Sequence, residues 1–367
     1  MKDAIAKLRG ELRGDSAFFR HAVRSAFAVV AAIAAAHLLN LHHGIWLPIT
    51  VVVIMRPSLG GTIRHGWRRV LGTIIGAGVG IGLLITAGAH PHVLISLALL
   101  LFLVTFFLKQ HNYTLFVVAL TATVVIILGL TMPMGWKMGL VRIVDTLIGA
   151  VIGLGAAFFI WPQKARASLK KQNHDTLIAF EDHLGLLSSA YLTGQAREGE
   201  IIRTRIHVID TLTKCEEVFF EASAEPGIRT EQRQALSRLL RIFFRILDLL
   251  TSLSTIIRRA GGTVLPVLSE GTEKLLTSTR AEITWLAAYA LNLGDLDPRP
   301  PRTAIPEFLE TIRILRASGE FEDLPLARRN NISAFIWNIR ALGEELDMAY
   351  ERIVELRYGR KSRNKVF

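Results

Sequence analysis

The sequence predicts an all-α integral membrane protein in which six transmembrane helices form two inverted three-helix repeats and a cytoplasmic helical bundle follows. Three observations predict it: a sharp division of charge along the chain, apolar runs of membrane-spanning length, and an internal repeat. From Ser25 to Trp161 the only Lys, Arg, Asp or Glu residues are Arg56, Arg64, Arg68, Arg69, Lys109, Lys137, Arg142 and Asp145, whereas Lys164 to Phe367 is charged at almost every helical turn. The hydrophobic fraction is 51% and the mean hydropathy is positive. Soluble chains average about 45–50% apolar residues with more charge.

The division gives three regions: a basic arm over 1–21, a membrane domain over 22–163 and a soluble domain over 164–367. A bilayer core of about 30 Å requires about 20 apolar residues as helix. Runs near that length cover 22–39, 70–88, 93–108, 113–130 and 139–161. A sixth run, 45–55, is shorter and must tilt, thin the bilayer or be buried in protein. The first run follows Lys2, Lys7, Arg9, Arg13, Arg20 and Arg24, and its one Ala-x-Ala match, Ala32 to Ala34, lies inside it. It therefore reads as a first transmembrane helix, not a cleaved signal.

The net charge of +12 would suggest nucleic acid in a soluble protein. Residues 1–163, however, hold 13 Lys and Arg against 4 Asp and Glu, so most of the excess belongs to the membrane half and no nucleic-acid partner is expected. The cations cluster in the N-terminal arm, in the loop 56–69, at Lys109 and at Lys164 to Lys171, while the opposite loops carry only Lys137. The positive-inside rule then places both termini in the cytoplasm of a bacterial inner membrane, with Trp46, Trp67, Trp136 and Trp161 at the interfaces. The single cysteine, Cys215, fits a reducing compartment.

Arg69, Thr73, Ile75, Gly76, Ala77, Gly80 and Gly82 recur 73 positions later as Arg142, Thr146, Ile148, Gly149, Ala150, Gly153 and Gly155. The same register lays Thr50 on Thr123 and the run 22–39 roughly on the run 93–108. Three helices per unit is an odd number, so the units are inverted relative to each other, which is a transporter architecture. The glycines read as small-xxx-small contacts between helices. A phosphate-loop reading fails, because no strand precedes either copy and the required Lys is missing.

From Lys164 onward, apolar spacings of three and four predict helices over 174–193, 200–222, 229–259, 270–293, 303–317 and 326–358. Breaks fall at Pro226-Gly227, Gly261-Gly262 and the Pro-rich stretch 294–306. Arg238, Arg241 and Arg245 read as a solvated or membrane-facing surface, and the tail from Arg357 to Lys365 as disordered or resting on anionic lipid.

Charges within a membrane cost at least about 2.5–3.5 kcal/mol, so they persist where paired or functional. Asp145 is the only acid between Asp15 and Asp175 and follows Arg142 by three residues, which permits an ion pair on one helix face. Two readings stand: a self-neutralising structural pair, or a functional one. Arg69, the repeat counterpart of Arg142, is expected towards the opposite end of a translocation path, and a guanidinium fork suits a carboxylate. Arg64 and Arg68 read as topology-fixing cations. His37, His42, His43, His90 and His92 share the predicted periplasmic side but no carboxylate or Cys joins them, so interfacial hydrogen bonding is expected there and not a metal. Nothing assembles a catalytic triad, a paired acid site or a cofactor motif, and the chain reads as a non-enzyme without cofactors.

The ordered run Phe19-Arg20-His21-Ala22-Val23-Arg24, Leu41-His42-His43-Gly44-Ile45-Trp46, Thr50, Arg56-Pro57-Ser58, Thr62, and Arg69 with Gly72, Thr73 and Gly76 resembles the fusaric-acid-resistance-like family of aromatic-acid exporters. It looks most like the second membrane half of the long members, which carry two such halves. The resemblance implies efflux of carboxylated aromatic compounds, often beside a periplasmic membrane-fusion protein, and distant kinship with anion channels. Arg56, within the family-like Arg-Pro-Ser, joins Arg69, Arg142 and Asp145 as a candidate transport residue, with Trp46, Thr50, Thr73 and Thr146 beside them. The expected function is proton-driven export of small organic anions. The alternatives are a passive anion channel and a membrane-anchored scaffold. A homodimer in contact with lipid is the expected assembly.

Overall fold

The computed structural model describes residues 16–41, 44–88, 90–132, 135–195, 198–260, 265–291, 298–301 and 303–358. The basic arm before Ser16, His42 and His43, the Gly261-Gly262 break and the tail after Tyr358 lie outside them. The described residues form twelve α-helices and no strand, in two compact units: residues 1–165 with 224–226, and residues 166–223 with 227–367.

The first unit holds α1 (Ala17–Leu38), α2 (Trp46–Ile54), α3 (Leu59–Ala87), α4 (Pro91–His111), α5 (Tyr113–Thr131) and α6 (Lys137–Phe159). Five of them, all but α2, are long and apolar enough to cross a membrane. Helix α2 has nine residues and covers about 14 Å, less than half of an approximately 30 Å bilayer core. The stretch 56–69, expected as a loop, is mostly the start of α3. Ser58 caps that helix by accepting from the Gly61 N–H at 2.9 Å, and the Leu59 N–H donates to the Gln163 carbonyl at 2.8 Å. Arg64, Arg68 and Arg69 thus stand within the first turns of the helix, not in a loop before it.

Helix α3 packs on α5 and α6, α6 also on α2 and α1, α2 on α1, and α5 on α4. Glycine sets the closest approaches: a Cβ on Gly72 would lie 2.7 Å from Val117, one on Gly76 2.9 Å from Thr121, one on Gly149 2.9 Å from Thr50 and one on Gly153 2.7 Å from Ile54. Helices α3 and α5 therefore run parallel, as do α2 and α6. Gly66 faces Leu154 and Gly139 faces Ile81, which makes α3 and α6 antiparallel. Phe27, Val30 and Ile33 of α1 and Leu99, Leu103, Phe106 and Phe107 of α4 are exposed, an apolar belt suited to lipid.

The second unit holds α7 (Ala165–Thr193), α8 (Glu198–Ala224), α9 (Thr230–Ala260), α10 (Pro266–Leu291), α11 (Ala304–Ala317) and α12 (Leu326–Tyr358). Its core gathers Phe180, Leu184, Leu212, Phe219, Phe243, Ile246, Phe335 and Leu346, all nearly or fully buried. Ion pairs join α10 to α7 (Arg280 to Glu181, 2.7 Å) and α9 to α12 (Arg245 to Glu345, 3.1 Å). Arg238, Arg241 and Arg245 are exposed, as a solvated face requires.

Candidate functional site

The polar side chains of the first unit collect along its glycine-lined seam. Arg24, Arg69, Arg142 and Asp145 are at most 4% exposed, and Thr50, Thr73 and Thr146 are equally buried. Trp46 and Arg56 are half-buried.

At the start of α2, Trp46 lies beneath Arg142, whose guanidinium carbon is 3.6 Å from the ring centroid, a cation–π stack that orients the fork. Asp145, one turn on from Arg142, interacts with its charge. The Nε and Nη1 of Arg142 and the Nε of Arg69 have no protein hydrogen-bond partner, and neither do the hydroxyls of Thr50, Thr73, Thr121 and Thr146. A threonine within an apolar helix ordinarily bonds back to the carbonyl four residues earlier, as Thr123 does to Ala119 at 2.9 Å and Thr105 to Leu101 at 2.8 Å. The four orphaned hydroxyls therefore stand out from their neighbours.

The antiparallel register of α3 and α6 sets Thr73 level with Thr146, and puts Arg69 and Arg142 on either side of that level, about 13 Å apart along the axis at about 1.5 Å per residue. They are close enough to act on each other's charge. The position equivalent to Asp145 is Gly72, where α3 comes too close to Val117 and to the Thr114 carbonyl for any side chain.

A second group surrounds Arg56. Its Nη2 lies 2.6 Å from Nε2 of His65, and His65 packs on the Tyr113 ring at 4.6 Å between centroids. Tyr113 opens α5 directly after Asn112, which caps the helix by accepting from the Thr114 N–H at 2.9 Å. The phenol interacts with both Arg69 and Arg56, although its hydroxyl forms no hydrogen bond of good geometry. The Arg56 N–H donates to the Thr62 hydroxyl at 3.0 Å.

Arg24, with His65 and Tyr113, is a residue that the sequence reading misses. It is fully buried and donates through Nη2 to the carbonyls of Arg56 (2.7 Å) and Pro57 (2.8 Å), and through Nη1 to that of Trp161 (3.3 Å). One guanidinium thus ties α1 to the chain after α2 and after α6. Its signal is its place inside the first apolar run, where the sequence alone makes it look like a flanking charge. His65 and Tyr113 were missed because each is unremarkable without its tertiary neighbours. His90 and His92 are exposed, and among the described residues no three His, Cys, Asp or Glu side chains gather as metal ligands would.

Residues 30–156 match the family described as fusaric acid resistance protein-like. The chain is 27% identical over 244 residues to the inner membrane protein YccS of Escherichia coli (strain K12), covering 65% of this chain and 33% of that protein. It is 28% identical over 211 residues to the uncharacterized protein ORF2 of Neisseria gonorrhoeae, covering 56% and 50%. Against the uncharacterized protein YhfK of Escherichia coli it is 30% identical over 154 residues, covering 41% and 21%. The alignments span half or less of the length of these relatives. The stretch that carries Trp46, Arg56, Arg69, Arg142 and Asp145 thus lies within the residues that are similar to the fusaric acid resistance protein-like family.

Proposed function

We propose that the first unit is a carrier that exports small organic anions, aromatic carboxylic acids among them, across the bacterial inner membrane at the expense of the proton gradient. The observation that carries the reading is the excess of buried guanidinium over carboxylate in helices α1 to α6: Arg24, Arg69 and Arg142 are buried there, and Asp145 is the one buried acid among the described residues of those helices. Buried cations repel one another and are costly to keep in an apolar medium. An anion received between Arg69 and Arg142 would relieve that repulsion and take up donors that the protein leaves unpaired.

The pairing of helices supports the inverted-repeat reading. Exchanging α1 with α4, α2 with α5 and α3 with α6 turns α1–α2 into α4–α5, α2–α6 into α3–α5, α1–α6 into α3–α4 and α2–α3 into α5–α6, and each of these pairs is in contact. The α3–α6 pair maps onto itself, with Thr73 and Thr146 at its midpoint. On this reading α2 is a sixth, short crossing that its neighbours shield from lipid, both termini are cytoplasmic, and the carrier works as a homodimer, engaging a periplasmic membrane-fusion protein for efflux. The inner-membrane location named for YccS fits this placement.

Flux from liposomes containing the purified protein tests the reading. Release of an aromatic carboxylate that requires a pH gradient supports the carrier. Release that follows voltage alone means a passive anion channel, and no release of any anion means a scaffold. A monomeric mass in mild detergent together with no crosslinking in native membranes would remove the dimer.

A further inference from the structure

The second unit contains a cavity of about 140 Å³ that the transport reading does not use. It lies where α7 and α9 begin and α10 and α12 end. Arg166, Lys170 and Asn173 reach it from one face of α7, while Leu236, Ala290 and Ile353 supply apolar wall from the other three helices. The lining carries two cations and no acid. Asn173, Leu236, Ala290 and Ile353 are all at most 5% exposed, so the cavity reaches into the bundle, whereas Lys170 is exposed at its rim. The space is roughly ten times what one water needs, and a mostly apolar wall gives water few of the partners that hold it in place.

We propose that this cavity is a binding site for a small organic anion with an apolar body, its acidic head at Arg166 and Lys170 and its body against Leu236, Ala290 and Ile353. Apolar pockets with a few convergent polar groups are the usual form of small-molecule sites. A carboxylate at the rim keeps partial contact with water while gaining charge-assisted bonds. The buried Asn173 amide adds a neutral hydrogen-bonding group beyond the cations. Tyr289, also in the lining, stacks on Trp285 at 5.3 Å between ring centroids, so occupancy is expected to alter the emission of Trp285. The site stands apart from the transport reading, and either can fail while the other holds.

The test is a titration of the purified full-length protein in detergent with benzoate, hexanoate and the neutral isostere benzamide, followed by calorimetry and by tryptophan emission, with Trp285→Phe as the optical control. We expect saturable binding of a carboxylate about tenfold or more tighter than that of benzamide. Read through the emission change that Trp285→Phe abolishes, Lys170→Gln weakens binding, Gln232→Trp obstructs the cavity from its half-exposed edge, and Arg142→Lys leaves that signal and its midpoint unchanged. Thermal unfolding at the wild-type temperature certifies that each variant is folded, and Lys170→Gln, at an exposed position, remains informative should Gln232→Trp fail to fold. Equal binding of benzoate and benzamide, loss of binding in Arg142→Lys but not in Lys170→Gln, or no binding of any probe would overturn the proposal. Displacement of the carboxylates on transfer to anionic but not zwitterionic nanodiscs would also overturn it, by identifying a lipid headgroup as the occupant.

Discussion

Arg142 has a ring on one side, a carboxylate one turn away and a second guanidinium within electrostatic reach, so small chemical changes there should separate binding from coupling. Arg142→Lys keeps the charge but loses the planar fork. We expect its affinity for a carboxylate substrate to fall about tenfold or more, the scale of one charge-assisted bond, as measured by substrate-dependent flux. Asp145→Asn removes the one buried acid among the described residues of α1 to α6 without changing its size. A substrate carboxylate competing for Arg142 would free Asp145 to take a proton, so the variant should still bind substrate but lose pH-gradient-driven export. Wild-type export with an unchanged pH profile would reduce Asp145 to a structural role. In the second unit, burial and then Arg205 lower the His183 pKa from 6.5 to about 4, while its Nδ1 pairs with Thr204 at 2.8 Å. The unfolded chain binds a proton below pH 6.5 that the folded chain refuses until about pH 4, so stability falls as pH drops through that window. The contribution lost by pH 5 is about 2 kcal/mol. Unfolding of wild type and His183→Asn at pH 7 and pH 5 should show a smaller acid loss in the variant.

At the scale of the helices, the small-residue stripes divide into glycines that touch a neighbour and glycines that do not. A Cβ on Gly76 would collide with the Val118 carbonyl and lie 3.0 Å from its Cα, atoms that cannot move aside, whereas one on Gly78 meets nothing within 4 Å. Gly78→Ala should be neutral or stabilising by up to about 1 kcal/mol through helix propensity. Gly76→Ala should lower the unfolding temperature in detergent by forcing α3 and α5 apart. The repeat that made these glycines conspicuous was legible because it is a pattern in one dimension, and so were most helix ends, from the 304–317 helix of the second unit to the apolar runs. The start of α3 was not legible: Arg64, Arg68 and Arg69 look like loop charges until Ser58 is seen capping the turn before them. Of the site, Arg69, Arg142 and Asp145 were visible as isolated charges in apolar sequence. The clamp made by Arg24 and the His65–Tyr113 pair beside Arg56 depend on residues 32 to 137 positions apart or on ring contacts, which no local pattern records.

For the whole molecule, the number of crossings fixes which ends of the helices share a side of the membrane, and the chain is well suited to asking. Its one native thiol, Cys215, is fully buried, and burial pushes its pKa up to about 12, so it should stay silent to a thiolate-directed reagent. Single cysteines at Phe18, His90, Gln110, Lys137 and Lys164, all exposed, then report by themselves. His90 and Gln110 lie at opposite ends of α4, which at about 1.5 Å per residue is long enough to span a bilayer core, and they must label from opposite sides whatever the other helices do. Phe18 and Lys164 decide the parity. Six crossings put them on one side, and five, with α2 reduced to a re-entrant helix, put them on opposite sides. On the positive-inside rule, the weight of Arg20, Arg56, Arg64, Arg68, Lys109 and Lys164 against Lys137 predicts that the shared side is the cytoplasm. An impermeant maleimide added to intact cells should therefore modify His90→Cys and Lys137→Cys, and should reach Phe18→Cys, Gln110→Cys and Lys164→Cys only after permeabilisation. Labelling of Phe18→Cys and Lys164→Cys from opposite sides would remove α2 as a crossing, and with it the inverted symmetry that sets Arg69 and Arg142 on either side of a common centre.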